Sequence, residues 1–250
     1  MAYHHGKFVW FEYFGDDLAR AQAFYAKLFG WSIGKFPMGA ETYDLIQLGE
    51  IGIGGFRRAP PGTPNAWMSY MSVADVDASA DAAVKAGAKL LMPPADFHPV
   101  GRGATIADPT GAVISIWKSA EADRDDVATI PTGDWIWNEL VSTDASIAVG
   151  FYQQVFGYTN QSMSMSDGGT YNLMHKDGIP RCGIMQAPAP IPQSFWLPYV
   201  CVDDCDASCA KAEALGGKGM LPPMDIPGVG RIAAFTDPMG GAIAVIRDLR

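Results

Sequence analysis

Along the first part of the chain, apolar residues are spaced first as in a strand, then as in a helix, and then again as in strands. The stretch FVWFEYF, residues 8–14, is aromatic and extended, which predicts a strand. Apolar residues then recur at helical spacing from Leu18 to Leu28, and Asp17 stands where an N-cap is expected. Gly30 follows as a helix end, and the stretches YDLIQLG and IGIGGF predict two short strands.

The same order of elements begins again after a proline-rich segment. WMSYMSV predicts a strand, and DASADAAVKAG predicts a helix that Asp75 or Asp77 caps and Gly87 closes. KLLMPP, GATIADP and AVISIWK predict three more strands, with a hairpin turn at residues 108–111 before the last one. The pattern therefore predicts two βαβββ modules in the first half of the chain.

The second half of the chain repeats the first. FYAKLFGW, residues 24–31, returns as FYQQVFGY, residues 151–158, and ADPTGA near the end of the first half returns as TDPMGG. A repeat of this length indicates a duplicated domain. We predict one domain over residues 1–122 and a second over residues 130–250, because the segment between them is charged and lacks apolar periodicity.

Composition and charge restrict the class of protein. The formal net charge is −9 and no segment concentrates Lys and Arg, so we expect no nucleic-acid partner. No apolar run approaches the roughly 18 residues that span a bilayer, and the start of the chain does not resemble a signal peptide, so we expect no membrane association and a cytoplasmic location. The four cysteines all lie in the second half, which favours reduced thiols over disulfides.

The repeated motifs resemble those of a known superfamily. Two βαβββ modules per domain, FY..LFGW at the end of the first helix and DP.G before the last strand are similar to the vicinal oxygen chelate superfamily of glyoxalases, bleomycin-resistance proteins and extradiol dioxygenases. The resemblance covers nearly the whole chain. It implies an α+β fold with four βαβββ modules in two tandem domains, each a curled, mostly antiparallel sheet that forms a cup.

The resemblance also implies where a divalent metal would bind. The family's ligand positions, matched residue by residue, are Trp10, a position near Gly54, Met68, Ser115, Trp137, a position near Gly183, Leu197 and Ala244. None of these residues is a His, Glu, Asp, Gln or Cys, the donors that a divalent ion needs. A shift of two residues brings in Glu12, Tyr70, Glu139 and Tyr199, which is still short of a histidine-rich set. We therefore expect no metal and no other cofactor.

The side chains that remain predict a small-molecule site. Alternation along a strand places Glu12 and Glu139 on the same face as Trp10 and Trp137, and a cavity with aromatic walls and few polar groups typically binds a small ligand. The predicted ligand-binding residues are Trp10, Met68, Tyr70, Ser115, Trp137, His175, Leu197 and Tyr199. Glu12 and Glu139 are candidate general bases, and a purely structural role is an equal alternative for both.

Three functions remain open on the sequence alone. The first is metal-free binding of a small apolar or aromatic molecule, and the second is a metal-free isomerase, lyase or hydrolase that uses a cup glutamate as general base. The missing donors disfavour the third, a metal-dependent glyoxalase or dioxygenase. Arg102 and Arg231 recur in equivalent loops, either to meet an anionic ligand or to brace the loop. We expect a monomer, with a homodimer as the alternative.

Overall fold

Strands and helices occur in the same order in the two halves of the chain. The computed structural model describes residues 2–38, 41–60, 62–165 and 168–248. The first half forms β1 (Phe8–Gly15), α1 (Leu18–Phe29), β2 (Ser32–Met38), β3 (Glu41–Leu48), β4 (Ile51–Arg58), β5 (Ala66–Ser72), α2 (Val76–Lys85), β6 (Lys89–Phe97), β7 (Gly101–Ala107) and β8 (Val113–Ser119). The second half forms β9 (Trp135–Ser142), α3 (Ala145–Phe156), β10 (Thr159–Ser164), β11 (Thr170–Lys176), β12 (Ile179–Gln186), β13 (Phe195–Cys201), α4 (Cys205–Ala214), β14 (Lys218–Ile226), β15 (Gly230–Thr236) and β16 (Ala242–Asp248).

The predicted ends of the helices are confirmed. The side chain of Asp17 accepts a hydrogen bond from the amide of Arg20, so it is the N-cap of α1. Gly30 ends α1 in the left-handed conformation, with φ 75°, which glycine adopts without a Cβ clash. Asp75, rather than Asp77, caps α2. No helix in the described ranges is long and apolar enough to cross a membrane.

Each half of the chain builds one eight-stranded curled sheet. The strand orders are β2-β3-β4-β1-β5-β8-β7-β6 and β10-β11-β12-β9-β13-β16-β15-β14. Hairpin neighbours such as β3 and β4 are antiparallel, whereas β1 pairs with β4, and β5 with β8, in parallel. The predicted fold class is confirmed: the protein is α+β, with four βαβββ modules in two mixed, mostly antiparallel sheets.

Two compact units group the modules differently from the order of the chain. Unit 1 contains residues 1–10, 68–126 and 138–196, and unit 2 contains residues 11–67, 127–137 and 197–250. The core of unit 1 is largely aliphatic around Tyr152 and Trp196, whereas unit 2 has an aromatic core around Tyr25 and Trp67. Each unit therefore joins one module from each half. The domain boundaries 1–122 and 130–250 remain a prediction.

Candidate functional site

A buried carboxyl group and an arginine meet on the first module. Glu12 in β1 lies opposite Gly55 in β4, in the parallel register of the two strands. Arg57, two residues further along β4, donates from Nε to Oε1 of Glu12 at 3.2 Å. The Glu12 side chain is 2% exposed and the Arg57 side chain is 40% exposed. The ion pair therefore joins a buried carboxyl group to a cation that reaches solvent.

A tyrosine covers this pair, and a glycine makes room for it. The guanidinium carbon of Arg57 lies 5.5 Å from the ring centroid of Tyr43, which is a cation–π distance. A Cβ added at Gly55 would lie 1.9 Å from the Tyr43 hydroxyl oxygen. Any residue other than glycine at position 55 would therefore displace Tyr43. We call Glu12, Tyr43, Gly55 and Arg57 the Glu12 site.

The third module contains the equivalent arrangement with one difference. Glu139 in β9 is 8% exposed and lies opposite Gly183 in β12. A Cβ at Gly183 would lie 1.8 Å from the hydroxyl oxygen of Tyr171, as at Gly55. The residue two positions after this glycine is Met185, which pairs with Tyr171 across the strands, so no arginine stands there. We call Glu139, Tyr171, Gly183 and Met185 the Glu139 site.

The second module places predicted residues in a polar and aromatic group. Tyr70 lies opposite Ser115, and the Ser115 hydroxyl lies 3.0 Å from that of Thr105. The rings of Tyr70 and Trp117 meet edge to face at 5.9 Å between centroids. Ser115 thus lies opposite Tyr70 in the parallel register of β5 and β8.

The fourth module keeps the tyrosine but has alanine at the positions of Ser115 and Thr105. Tyr199 lies opposite Ala244, and Ala244 lies opposite Ala234. Leu197 and Tyr199 are both buried, at 5% and 4% exposure. The two aliphatic hydroxyl groups of the second module, on Thr105 and Ser115, are therefore replaced by methyl groups here.

The other predicted ligand-binding residues differ in their surroundings. Trp10, Met68 and Trp137 are half-buried on the same strands as the residues described above. His175 is half-buried on β11, and its Nδ1 lies 3.2 Å from the carbonyl oxygen of Leu173. This local contact accounts for one ring nitrogen of His175.

Arg102 and Arg231 brace their loops. Arg102 donates to both carboxylate oxygens of Asp77, at 2.7 and 2.8 Å, and to Asp96 at 2.8 Å. Arg231 repeats the arrangement with Asp206 and Asp225. The bonds from Arg102 lower the pKa of Asp77. Of the two roles that the sequence allowed, the contacts support bracing.

The sequence reasoning missed Arg57 and Tyr43 as site residues. Glu12 was placed on its face by alternation, but its partner depends on the parallel register of β1 and β4, which a single sequence does not fix. A usable signal was present, because Tyr43 and Gly55 recur as Tyr171 and Gly183. Recurrence of a tyrosine together with a glycine on the neighbouring strand indicates a shared packing contact.

The fold is a duplicated βαβββ arrangement with a buried glutamate on the first strand of each half. Comparisons with known proteins place this arrangement among glyoxalase-like and bleomycin-resistance-like proteins. A family described as "Bleomycin resistance protein-like N-terminal" matches residues 7–44. "Putative glyoxylase CFP32" of Mycobacterium bovis is 36% identical over 253 residues, covering 98% of this chain and 96% of the relative. The anthracycline biosynthesis protein DauV of a Streptomyces species is 29% identical, covering 95% and 92%.

A solved structure shares the fold. The Mn(II)-bound glyoxalase from Novosphingobium aromaticivorans superposes with a TM-score of 0.67 at 18% sequence identity, covering 98% of this chain and 83% of that one. Together with the 36% identical relative and the matching bleomycin-resistance family, this shows that the chain belongs to the vicinal oxygen chelate superfamily, the group of glyoxalases, bleomycin-resistance proteins and extradiol dioxygenases.

The superfamily fold implies a divalent metal, and the residues present do not fit one. The paired positions are Glu12 with Gly55, Tyr70 with Ser115, Glu139 with Gly183, and Tyr199 with Ala244. Each half thus supplies one carboxyl group and no histidine at these positions. Throughout the ranges that the structure describes, no three His, Cys, Asp or Glu side chains form a group that could hold an ion. A divalent metal needs three or four such donors.

Proposed function

We propose that the protein binds a small apolar or aromatic molecule at the Glu12 and Glu139 sites, without a divalent metal. The observation that carries this proposal is the glutamate of each site, which is buried on its strand beside a tyrosine that a glycine accommodates. Burying a carboxyl group costs several kcal/mol as an order of magnitude, so a chain that buries one in each half must compensate it with specific contacts, as Arg57 does for Glu12.

The chemistry of the two sites suits a ligand with a ring and one polar group. Tyr43 and Tyr171 offer an aromatic surface and a hydroxyl group, and Glu12 and Glu139 offer oxygen atoms for hydrogen bonds. The names of two relatives, a glyoxylase and an anthracycline biosynthesis protein, also support a small-molecule ligand. The polar atoms would fix the orientation of the ligand while apolar contacts supply most of its affinity.

A second candidate is a metal-free isomerase, lyase or hydrolase in which Glu12 or Glu139 is the general base. The superfamily membership supports an enzymatic function, because one of the matched relatives is named as a glyoxylase. In this reading the carboxylate takes a proton from an acidic C–H bond of the bound ligand, and the tyrosine hydroxyl hydrogen-bonds to the oxygen that gains charge.

Exchange of each glutamate for glutamine tests both candidates. Glu12→Gln and Glu139→Gln keep the shape and an oxygen acceptor, and both variants should fold. Native mass spectrometry of the freshly purified protein should show a bound small molecule that the variants retain less well. Turnover against hemithioacetals, catechols and small aromatics should separate an enzyme from a binder. Full ligand retention in both variants, with a large loss of stability, would show that the glutamates only brace the fold.

We also propose that the chain acts alone, as a monomer in the cytoplasm, with no nucleic-acid or membrane partner. The duplication supports this proposal, because one chain already contains two copies of the module pair. The net charge of −9 would repel a phosphate backbone. Light scattering should give the mass of one chain, 26.8 kDa, and twice that mass would contradict the proposal.

A further inference from the structure

A groove runs between the helix α4 and the edge strand β14. It has a volume of about 280 Å³, and all of its lining residues belong to unit 2. The residues that form its walls include Cys209, Glu213, Met220, Leu221, Pro222 and Phe235. None of them belongs to the Glu12 site or to the Glu139 site. Because the groove is concave and mostly apolar, it is a separate candidate for binding a small molecule.

A glycine on the edge strand leaves space in this groove. Gly219 lies opposite Phe235 in the antiparallel pairing of β14 and β15, and the buried ring of Phe235 forms part of the wall. A Cβ added at Gly219 would meet one heavy atom within 4 Å, Oε1 of Glu213 at 3.6 Å. The carboxyl group of Glu213 therefore reaches from α4 to the backbone of β14.

The equivalent positions in the first half of the chain have larger apolar side chains. When α2 and α4 are aligned at their N-caps, Gly219 corresponds to Leu90 and Glu213 to Val84. Leu90 and Val84 are exposed apolar residues on the surface of their module. The second half thus has open space in place of a leucine and a carboxyl group in place of a valine. The fold does not require these two differences, because the first half forms the same elements without them.

The groove carries a negative charge. Glu213 is the one charged residue among the described residues that line it, and it lies in the last turn of α4, where the helix dipole disfavours an acid. No lysine, arginine or histidine in the described ranges forms an ion pair with it. Burial, and then the charges of Glu213 and Asp206, raise the pKa of the Cys209 thiol. The thiol is therefore protonated at neutral pH, and Glu213 provides the charge that a ligand meets.

We propose that this groove binds a small organic cation, an amine on an apolar ring or chain, with its ammonium group at Glu213 and its apolar part against Met220 and Phe235. A carboxylate beside apolar walls is complementary to such a molecule in both charge and hydrophobicity. A thioether and an aromatic ring also adapt well to an apolar ligand. The net charge of −9 attracts cations to the protein as a whole. The proposal is independent of the function proposed for the Glu12 and Glu139 sites.

Protection of Cys209 from alkylation tests the proposal at the groove itself. Cys209 lines the groove and is half-buried, whereas Cys182, Cys201 and Cys205 are buried. The rate of Cys209 alkylation by iodoacetamide is followed by peptide mass spectrometry at increasing probe concentration. The probes are benzylammonium and benzyl alcohol, which have the same ring and nearly the same shape but differ in charge. Benzylammonium should protect Cys209 with an affinity about fivefold higher than that of benzyl alcohol, the upper range for an exposed ion pair.

Two variants and a control change the groove without changing the fold. Gly219→Leu copies the first half, and its added Cβ makes only an ordinary contact with Glu213, so the variant should fold. The leucine fills the space, and the affinity for both probes should fall by about tenfold or more. Glu213→Gln keeps the shape and should lower the affinity for benzylammonium about fivefold, to that of benzyl alcohol. Glu121→Gln removes the same charge at an exposed position in another segment and should change neither affinity. Thermal unfolding of each variant is recorded, and protection is expressed relative to the same variant without probe.

The results separate the possible occupants of the groove. Protection by benzylammonium that Gly219→Leu removes and Glu213→Gln weakens supports the proposal. No protection by benzylammonium, or full protection in folded Gly219→Leu, overturns it. Equal protection by the two probes in the natural protein overturns the assignment of a cation. Shielding of Cys209 that increases with protein concentration in the absence of a probe would identify a second copy of the chain as the occupant, and this too overturns the proposal.

Discussion

The hydroxyl group of Tyr25 in α1 donates a 2.9 Å hydrogen bond to Oδ2 of Asp237, 212 residues further along the chain. The indole of Trp67 donates to the same tyrosine oxygen at 2.9 Å. In unit 1 Tyr152, Asp108 and Trp196 form the equivalent network, with both bonds at 3.2 Å. The helix of one half thus contacts the DP.G turn of the other half, which explains why both motifs occur twice.

We predict that Tyr25→Phe destabilises the protein by about 1–3 kcal/mol, the usual cost of leaving buried polar groups unsatisfied. Tyr25 and Asp237 are 0% and 2% exposed, so water cannot easily replace the lost hydroxyl. Urea unfolding should show a lower midpoint, and Tyr152→Phe should show a similar loss.

Tyr3→Phe is the control: the Tyr3 hydroxyl bonds to the Ser119 carbonyl oxygen at an exposed position, and its loss should cost less than about 0.5 kcal/mol. Equal effects of Tyr25→Phe and Tyr3→Phe would contradict a structural role for the network.

The sequence predicted the features that depend on near neighbours. The N-cap at Asp17, the glycine end at Gly30 and the turn at residues 108–111 follow from local chemistry, and all three are present. The repeat then carried these predictions into the second half. Tyr25 was correctly assigned to the core, but its hydrogen bond to Asp237 could not be predicted, because it depends on how distant modules pack.

Strand alternation was informative only in part. It places Phe8 on the same face as Glu12, yet the ring of Phe8 packs against Trp196 at 5.0 Å, in the core of unit 1. The pairing of β1 with β4 begins at Phe11, so Phe8 lies outside the ladder that holds Glu12. The ion pair of Glu12 with Arg57 likewise required the strand register, which periodicity does not give.

We predict that the protein loses folding stability at low pH because Asp126 becomes protonated. A hydrogen bond from Arg181 at 2.7 Å and contact with Lys7 at 3.0 Å lower the pKa of Asp126 from 3.8 to about 2. A lowered folded-state pKa means that the unfolded chain binds the proton more readily, so this stabilisation is present above about pH 4 and is lost as the pH falls towards 2. Because the Asp126 side chain is 38% exposed, screening should keep the effect below about 1 kcal/mol.

Unfolding free energies between pH 6 and pH 2 check this prediction. The difference in unfolding free energy between the natural protein and Asp126→Asn should be constant near neutral pH. It should become smaller as the pH falls below about 4. Glu121→Gln, at an exposed position in the same segment, is the matched control and should show no such convergence. A difference that does not vary with pH would show that Asp126 acts through packing.

We predict that Gly55→Ala and Gly183→Ala weaken ligand binding by displacing a tyrosine. The added methyl groups would lie 1.9 and 1.8 Å from the hydroxyl oxygens of Tyr43 and Tyr171, so both rings must move. Gly150→Ala in α3 is the control, because nothing lies within 4 Å of the added atom. This substitution should raise stability by about 0.5–1 kcal/mol through helix propensity. If native mass spectrometry shows full ligand retention in the first two variants, neither tyrosine lines the ligand site.

The last prediction concerns metal. The paired positions of each sheet supply one carboxyl group and no histidine, so purified protein should contain less than one equivalent of Zn, Ni, Fe or Mn by elemental analysis. A tightly bound metal stabilises the native state by mass action, and its removal would lower the melting temperature. EDTA should therefore leave the melting temperature unchanged, and added Mn²⁺ or Zn²⁺ at micromolar concentration should not raise it. One equivalent of metal that is lost together with stability would require a donor set other than the paired positions, and the ligand sites would then have to be assigned again.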